Sequence, residues 1–413
     1  MKQKICAAID ACREEIIRIG DQILAHPELG YKEFQTSALV QEELEKLGLS
    51  CKTGLARTGV KATIGDPDAP INICIIGEMD AVKCYGHPAA DPQTGAAHAC
   101  GHNAQIASLL GAAMGLIKSG VLAELPGRVT FFAVPAEEFV ELDFREQLKQ
   151  KGEIEFFGGK QELLRLGEFD DIDIAMMVHS QAGSLTPELY LGGSSLGFTA
   201  KQITFRGKAA HGSTPFDGVN ALNAAMVALM GIHANRETFR DEDRIRIHPI
   251  ITNGGELVNV VPSVVTMETY VRGARGEAIE DACRKVDAAV QAGALAIGAQ
   301  CEILDTVGYL PLHQDAGVSE IFEENARALI GGAEIHHGID MVGSTDIGDL
   351  SQKIPCIQPT MGGFAGTAHG ADFAICDKNA AYLLPAKIMA CTVVDLLRDG
   401  MRKALDIKQN FHR

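Results

Sequence analysis

The segment AAHACGHNAQIA, residues 96–107, places two histidines and one cysteine within five positions. Because side chains alternate along an extended chain, an extended conformation here would put His98, Cys100 and His102 on one side. An apolar, helix-like pattern follows, and Asn103 is suited to cap that helix. The positive end of the helix would lower the pKa of the Cys100 thiol. A thiolate beside imidazoles fits either a metal site or a cysteine nucleophile with a histidine base.

Two adjacent carboxylates, Glu137 and Glu138, follow the apolar run GRVTFFAV and a proline. Neighbours in an extended chain point to opposite sides, so one glutamate could bind a metal while the other faces the substrate as a general base. A solvated acidic loop is the commoner fate of such a pair. The wholly apolar run before it instead favours a position at the edge of a buried sheet.

Two further histidines lie in comparable settings, His179 after DIDIAMMV and His369 within MGGFAGTAHGADF. One cysteine, three histidines and one glutamate are suitable ligands for zinc, and by geometry also for manganese or cobalt. Five donors suit two ions if Cys100 bridges them. A hydrolase with a cysteine nucleophile would not need the glutamate pair or the additional histidines.

The elements that must position these residues are three short apolar runs, 71–80, 127–138 and 171–180. They lack alternation, as expected of parallel strands buried on both faces, and helical patterns separate them. In an open α/β sheet, ligands bind beyond the carboxyl ends of the strands. Asp80, the glutamate pair and His179 all fall at such ends, which predicts one shared site.

The hydrophobic pattern of the sequence changes between about residues 190 and 308, where it predicts a strand, a helix, two strands, a helix and a strand in succession. We therefore expect a catalytic α/β domain formed by residues 1–190 and 309–413, with a mixed, mostly parallel sheet and helices on both faces. Residues 191–308 are predicted to form a small inserted α+β domain of ferredoxin-like type. Glycine-containing segments at its two ends would act as hinges.

The composition excludes several classes of protein. The 413 residues include 37 basic and 54 acidic side chains, a net charge of −17, which disfavours nucleic acid as a partner. Eleven cysteines without paired spacing indicate free thiols in a reducing compartment. No apolar run approaches the roughly 20 residues needed to span a bilayer, so we expect a cytoplasmic protein without a membrane partner.

Eight segments carry a resemblance that extends over nearly the whole chain: HPELGYKEFQTSALVQEELEKLG, GEMDAV, AHACGHN, PAEE, MVHSQ, GKAAHGSTPFDGVNAL, GGELVNVVP and GSTDIGD. In this order they resemble the dinuclear metallo-amidohydrolases of the aminoacylase and carboxypeptidase family. Within that family the chain is similar to the branch that contains aminobenzoyl-glutamate hydrolase and related dipeptidases.

The resemblance implies two divalent metal ions per chain, zinc or manganese, with cobalt or nickel able to substitute in vitro. Cys100 would bridge them in place of an aspartate. His102 and His179 would bind one ion, and Glu138 and His369 the other.

The resemblance also assigns two residues that act beside the metals. Glu137 would be the general base, and Asp80 would orient a ligand histidine. It gives His98 no ligand role, and we expect a structural hydrogen bond for that residue.

The inserted domain would be the family's lid and dimerisation domain, which implies a homodimer. His211 would reach across the dimer to stabilise the tetrahedral oxyanion. Asn259 and Arg272 would lie near the carboxylate of the substrate. From the residues alone, Arg272 is only a charge at a strand end and Asn259 only a turn residue.

The implied reaction is hydrolysis of the amide bond of an N-acyl amino acid, an aminoacyl-glutamate type compound or a dipeptide, by a metal-activated water and Glu137. The alternatives are a hydrolase with Cys100 as nucleophile and an inactive metal-binding or ligand-binding scaffold of the same fold. Residues 139–157 depart from the family pattern, which passes almost directly from PAEE to a glycine-rich GGK segment. They could alter access or specificity, or form a solvated excursion.

Overall fold

A computed structural model describes residues 1–332, 334–341 and 343–411. The α-helices of the described chain are α1 (Lys2–Ala11), α2 (Arg13–Ala25), α3 (Phe34–Lys46), α4 (His102–Lys118), α5 (Leu142–Gln150), α6 (Gly159–Arg165), α7 (Ala221–Ala234), α8 (Gly276–Ile297), α9 (Ala316–Leu329), α10 (Ile347–Ser351), α11 (Leu384–Leu397) and α12 (Arg402–Asn410).

The strands are β1 (Cys51–Leu55), β2 (Gly59–Gly65), β3 (Asn72–Glu78), β4 (Val82–Lys83), β5 (Ala96–Ala97), β6 (Arg128–Val134), β7 (Ile174–Met176), β8 (His179–Ser180), β9 (Leu189–Leu191), β10 (Gly197–Arg206), β11 (Arg246–Ile247), β12 (Ile250–Asn253), β13 (Val264–Gly273), β14 (Gln300–Val307), β15 (Ile335–His337), β16 (Cys356–Ile357), β17 (Thr360–Met361), β18 (Phe364–Ala365) and β19 (Ala374–Ile375).

The chain divides into two compact units. The first comprises Met1–Ser194, His313–Asp340 and Asp349–Arg413, and the second comprises Ser195–Leu312 and Met341–Gly348. The main segment of the second unit thus begins and ends four residues later than the boundaries 191 and 308 expected from the sequence. The segment Met341–Gly348 also belongs to the second unit, although the hydrophobic pattern of the sequence around it predicted that it would belong to the first unit.

The first unit contains a six-stranded mixed sheet in the order β1-β2-β6-β3-β7-β16. Strands β6, β3, β7 and β16 run parallel to one another, whereas β2 pairs antiparallel with both β1 and β6. Every residue of β3 is buried, because that strand lies inside the sheet and helix α4 packs on it. The prediction of a mixed α/β sheet is therefore confirmed.

The register of the central strands brings their carboxyl ends together. Glu78 is opposite Val134, the last residue of β6, and Ile75 is opposite Met176, the last residue of β7. Polar residues that follow these strands consequently emerge at one edge of the sheet. A four-stranded sheet, β15-β9-β17-β8, and the hairpins β4-β5 and β18-β19 complete the strands of this unit.

The helical segment Asn379–Leu397 corrects one expectation from the sequence. It has 19 residues and a mean hydropathy of 1.6, so its length and composition alone would allow it to cross a membrane. The expectation that no apolar run approaches this length was therefore wrong. Since 94% of its apolar window is buried inside the protein, the segment is a core helix. It starts as one π-helical turn and continues as α11, which packs against α1, α4 and α9.

The second unit is an α+β structure. Its antiparallel sheet has the order β11-β13-β10-β14, with β12 paired to β13 as well. The ten-residue strands β10 and β13 pair along their whole length, from Gly197 opposite Gly273 to Arg206 opposite Val264. Helices α7 and α8 pack on each other and on this sheet. Buried residues of α7, α8, β10 and β13 belong to one hydrophobic core.

Candidate metal centre

Two buried carboxylates lie at the carboxyl end of β3. Glu78 is the last residue of the strand, and Asp80 follows two residues later. Glu78 Oε2 lies 3.1 Å from Nε2 of His102, and Lys160 forms a fully buried ion pair with the other oxygen. Burial opposes ionisation, but the charges of Lys160 and His102 outweigh it and lower the pKa of Glu78. Glu78 is therefore held as a carboxylate.

Asp80 contacts two other site residues. Its Oδ1 lies 3.3 Å from Nδ1 of His102, and its Oδ2 accepts a 2.9 Å hydrogen bond from the backbone N–H of Glu138. Burial would raise the pKa of Asp80, but the hydrogen bond and charge of His102 lower it to about 2. With Nδ1 facing Asp80, Nε2 on the opposite side of the ring faces Glu78 and the other donors of the site.

Cys100 and His102 are separated by Gly101, which has a left-handed conformation with φ of 84°. Helix α4 begins directly at His102, and this ring is completely buried. The Cys100 Sγ lies 3.4 Å from His179 Nε2. The backbone of this turn is held by Ser180, whose hydroxyl donates to the carbonyl oxygen of Cys100 at 2.6 Å.

Glu137 and Glu138 follow β6 and are both buried, with 7% and 8% of their surface exposed. Glu137 Oε2 lies 4.0 Å from His102 Nε2, whereas Glu138 Oε1 lies 3.2 Å from Nε2 of His369. His369 sits in the loop between β18 and β19 and is tied down by a hydrogen bond from its backbone N–H to the carbonyl oxygen of Ala99. The two adjacent glutamates therefore reach two different histidines.

The donor atoms form three clusters in which all atoms lie within 4.8 Å of one another: Cys100, His102 and His179; Cys100, Glu138 and His369; and Glu78, His102 and Glu137. Cys100 is shared by the first two clusters, as a bridging ligand would be. Buried Nε2 of His102 and Oε1 of Glu138 have no hydrogen-bond partner with good geometry among the described residues. Soft and borderline donors in this arrangement fit divalent metal ions.

The electrostatics of the cluster depend on its burial. Burial and the nearby Glu138 hold the pKa of the Cys100 thiol well above its ordinary value. Burial also disfavours the charged form of His102, but Cys100 and the carboxylates of Glu78 and Asp80 outweigh it and raise the pKa of that ring. Cations in the clusters would reverse both effects, because they favour a thiolate and a neutral imidazole.

Four local expectations from the sequence were wrong. Because Gly101 turns the chain, residues 98–102 are not extended, and His98 lies outside the donor clusters. Neither ring nitrogen of His98 hydrogen-bonds to a described residue, so the expected structural hydrogen bond is not observed. Asn103 does not cap α4 but donates to the carbonyl oxygen of Gly20, at 3.1 Å.

The fourth concerns the Cys100 thiol, whose pKa is raised and not lowered in the metal-free protein. The helix begins two residues later, and the cost of burying a thiolate beside a glutamate exceeds the effect of the helix dipole.

Sequence reasoning missed Glu78, Lys160 and Gln105. Gln105 donates to Glu78 Oε2 at 2.7 Å, and its own Oε1 accepts the backbone N–H of Glu78 at 3.2 Å. The only available signal was the position of Glu78 at the end of an apolar run, two residues before Asp80. Nothing in the local pattern indicates that Lys160 is buried against it.

The remaining candidate residues lie in the second unit. His211 is exposed, its Nδ1 lies 2.7 Å from the Ser213 hydroxyl, and its segment is bridged to Val260. The carbonyl oxygen of Asn259 accepts the backbone N–H of Gly212 at 2.7 Å, so the structure brings the His211 and Asn259 segments together.

Arg272 lies on β13, where its guanidinium carbon is 5.2 Å from the ring centroid of Phe198 and 5.3 Å from that of Tyr270. It donates to the Ser344 hydroxyl at 2.8 Å. Arg272 is therefore a half-buried, stacked group and not the simple surface charge that its position in the sequence suggests.

Comparison with known proteins gives a family match over most of the chain. The family model described as Peptidase family M20/M25/M40 matches residues 74–393. The Xaa-Arg dipeptidase of Mus musculus is 26% identical over 445 aligned residues, which cover 99% of this chain and 93% of the relative.

Two solved structures show the same fold. A putative aminohydrolase from methicillin resistant Staphylococcus aureus has a TM-score of 0.81 at 21% identity, covering 96% of this chain and 100% of that one. The YXEP protein of Bacillus subtilis, a dinuclear metal binding peptidase from the M20 family, has a TM-score of 0.74 at 23% identity. That alignment covers 94% of this chain and 99% of the other.

Proposed function

The chain belongs to peptidase family M20/M25/M40, and from this premise we propose that it hydrolyses the amide bond of an N-acyl amino acid, an aminoacyl-glutamate type compound or a dipeptide. As a member of this family it is a metal-dependent amidohydrolase that acts on C–N bonds. The sharing of Cys100 by two donor clusters is the observation that carries the proposal, because it fits a pair of ions and not a single structural one.

Two divalent ions would be held as follows. His102 and His179 would bind one ion, Glu138 and His369 the other, and Cys100 both. The mixture of thiolate, imidazole and carboxylate supports zinc or manganese as the metal. When bound, these ions would polarise the amide carbonyl and acidify a water.

Glu137 would act as the general base. Its carboxylate is buried and lies beside His102 without joining the two clusters that share Cys100. From that position it would take the proton of the attacking water and return it to the departing nitrogen. Asp80 would keep the His102 ring in one orientation and one tautomer, since its backbone carbonyl oxygen accepts from Nδ1 at 2.8 Å and its carboxylate lies 3.3 Å from the same nitrogen.

The second unit would serve as a ferredoxin-like lid and as the dimer interface of a homodimer. Its strand order and two helices support the fold assignment. Four large apolar residues are exposed on α7 and the outer strand β12, as an interface between copies requires: Met226, Met230, Ile250 and Ile251. His211 would stabilise the oxyanion in the partner's site, while Asn259 and Arg272 would bind the carboxylate of the substrate.

A hydrolase with Cys100 as its nucleophile is not favoured. A nucleophilic thiol needs a lowered pKa, whereas burial and Glu138 raise the pKa of Cys100. An inactive scaffold of the same fold would be expected to lack a metal ligand or the general base, and all of these residues are present here.

The proposal is tested by a screen of N-acyl amino acids, aminoacyl-glutamates and dipeptides with protein reconstituted separately with Zn²⁺ and Mn²⁺. The matched control is Glu137→Gln, which keeps the shape of the side chain and removes its basicity. Metal-dependent cleavage by the parent protein alone supports the proposal. Absence of cleavage by a fully metal-loaded dimer across all three compound classes would contradict it.

A further inference from the structure

The guanidinium of Arg145 is completely buried, although it comes from the segment 139–157 that separates the glutamate pair from α6. Its Nη2 donates to the carbonyl oxygen of Glu138 at 2.5 Å, and its Nη1 donates to that of Phe157 at 2.7 Å. Arg145, on helix α5, thus contacts the backbone of Glu138, the proposed metal ligand.

The buried charge is held in place by its surroundings. Within the described residues Arg145 forms no ion pair with a carboxylate, and its guanidinium carbon lies 5.4 Å from the ring centroid of Tyr31. The Tyr31 hydroxyl donates to the carbonyl oxygen of Phe156 at 2.9 Å. It is costly to bury a guanidinium whose hydrogen bonds go only to backbone carbonyls. The burial of Arg145 therefore indicates that the backbone it contacts must be held in place.

Hydrogen bonds hold the backbone of Ala136 and of Glu138, on either side of Glu137. Ala136 has a left-handed φ of 54°, an unfavourable conformation for alanine. The carboxylate of buried Glu33 accepts the backbone N–H of Ala136 at 2.8 Å. The carbonyl oxygen of Ala136 accepts the backbone N–H of Gly159 at 3.0 Å. At Glu138 the N–H donates to Asp80, and the carbonyl oxygen accepts from Arg145 and from the backbone N–H of Val140 at 2.9 Å.

We propose that Arg145 is a positioning residue for the metal site of Glu138 and His369, and that the segment 139–157 is part of the metal centre and not a solvated excursion. This inference rests on the proposed function. The Glu138 carboxylate can face His369, 3.2 Å away, only while the two peptide groups that flank its Cα keep their orientation. The N–H of the first donates to Asp80, and the carbonyl oxygen of the second accepts from Arg145 and from the backbone N–H of Val140. Loss of the Arg145 bond leaves the Glu138 carbonyl held by the Val140 N–H alone among the described contacts and weakens this site selectively.

The test is a calorimetric Zn²⁺ titration of the full chain, with the parent protein compared to Arg145→Met and Arg145→Lys. Removal of a group that orients a ligand typically weakens metal binding 10- to 100-fold. We expect Arg145→Met to keep one tight ion and to bind the second at least about tenfold more weakly. Arg145→Lys should fall between, since an ammonium can donate to the Glu138 carbonyl but lacks the second fork of the guanidinium.

The matched control is Lys149→Met, one turn further along α5. Lys149 is exposed and, among the described residues, forms an ion pair only with Glu155, so its removal should leave both Zn²⁺ sites unchanged. A general structural role of Arg145 would lower the melting temperature and weaken both sites alike. A positioning role predicts loss confined to one site, with turnover restored by excess Zn²⁺.

The outcomes separate the two proposals. If the parent protein binds fewer than two Zn²⁺ ions, the proposed function fails. If the parent binds two and a folded Arg145→Met protein binds both with unchanged affinity, the positioning role is overturned. Should Arg145→Met fail to fold, Arg145→Lys decides, because parent-like affinity at both sites in that variant also overturns the role.

Discussion

Asp80 Oδ1 lies 3.3 Å from Nδ1 of His102, while its second oxygen accepts the backbone N–H of Glu138. One carboxylate therefore orients residues assigned to two different metal ions. Removal of its charge should affect both sites, in contrast to removal of Arg145.

We expect Asp80→Asn to weaken the binding of both ions by about 10- to 100-fold, the range typical of groups that orient a ligand histidine. The amide removes the negative charge that lies beside the His102 ring, although the backbone carbonyl of residue 80 still accepts from Nδ1. Equilibrium metal competition with a chelating dye measures the effect, and Asp68→Asn, an exposed substitution, is the control. Unchanged affinity in a folded Asp80→Asn protein would remove Asp80 from the site.

The adjacent glutamates should separate into a base and a ligand. Glu137→Gln should keep both ions but reduce kcat by at least roughly a hundredfold, because an amide cannot accept the proton of water. Glu138→Gln should instead lose an ion. Steady-state kinetics and elemental analysis on the same two preparations test this, and identical behaviour of the two variants would leave the assignment without support.

Cys100→Ser should weaken both metal sites, because the thiolate is shared by both donor clusters. A hydroxyl is a far poorer bridging ligand than a thiolate at neutral pH. Metal content after dialysis, with circular dichroism as a check of folding, measures this. Full retention of two ions by the serine variant would show that Cys100 does not bridge them.

If His211 serves the partner's site, two inactive variants should complement each other. Glu137→Gln and His211→Ala chains, mixed and co-assembled, should regain partial activity, since one site in each mixed dimer combines an intact Glu137 with a partner's intact His211. Activity is measured alongside sedimentation. Mixed dimers that remain inactive would place the action of His211 within its own chain, or nowhere.

Glu33 predicts a pH dependence of stability. Burial, reinforced by the charge of Asp80, raises the pKa of Glu33 from 4.5 to about 7. Between these values the folded state binds more protons than the unfolded state, so stability falls as pH rises through this interval. Glu33→Gln cannot ionise and should lose less stability than the parent between pH 5 and pH 8, by up to about 3 kcal/mol.

Urea unfolding of the metal-free proteins at the two pH values measures this difference, with exposed Glu14→Gln as the control. The Glu33→Gln advantage should grow with pH, whereas the control should follow the parent. Parallel pH dependence of the parent and Glu33→Gln would mean that Glu33 does not take up a proton on folding.

Much of the arrangement was predictable because it follows from burial. Runs without alternation identified the parallel strands β3, β6 and β7, and the carboxyl ends of parallel strands share an edge. That rule alone brought Asp80, the glutamate pair and His179 to one place. The roles within the cluster came from the family resemblance, and the cytoplasmic location stays a prediction.

The features that escaped prediction depend on contacts between distant segments. Lys160 meets Glu78, and Arg145 meets Glu138, only after the strands and helices have packed. The position of His98 depended on a single left-handed glycine, Gly101, whose conformation the local sequence leaves open. The pKa of Cys100 depended on the balance of burial against a helix dipole, which requires the folded surroundings.

The pairing of β7 with β16 has a consequence for protein synthesis. A ribosome completes β7 at Met176 but reaches Cys356, where β16 begins, only after it has made the entire segment Ser195–Leu312. Until then β7 offers unpaired backbone groups along an apolar edge, which is a template for aggregation. A nascent chain that ends before Cys356 therefore exposes an unpaired, aggregation-prone strand edge. We expect the yield of folded protein in cells to depend on chaperones that shield such edges.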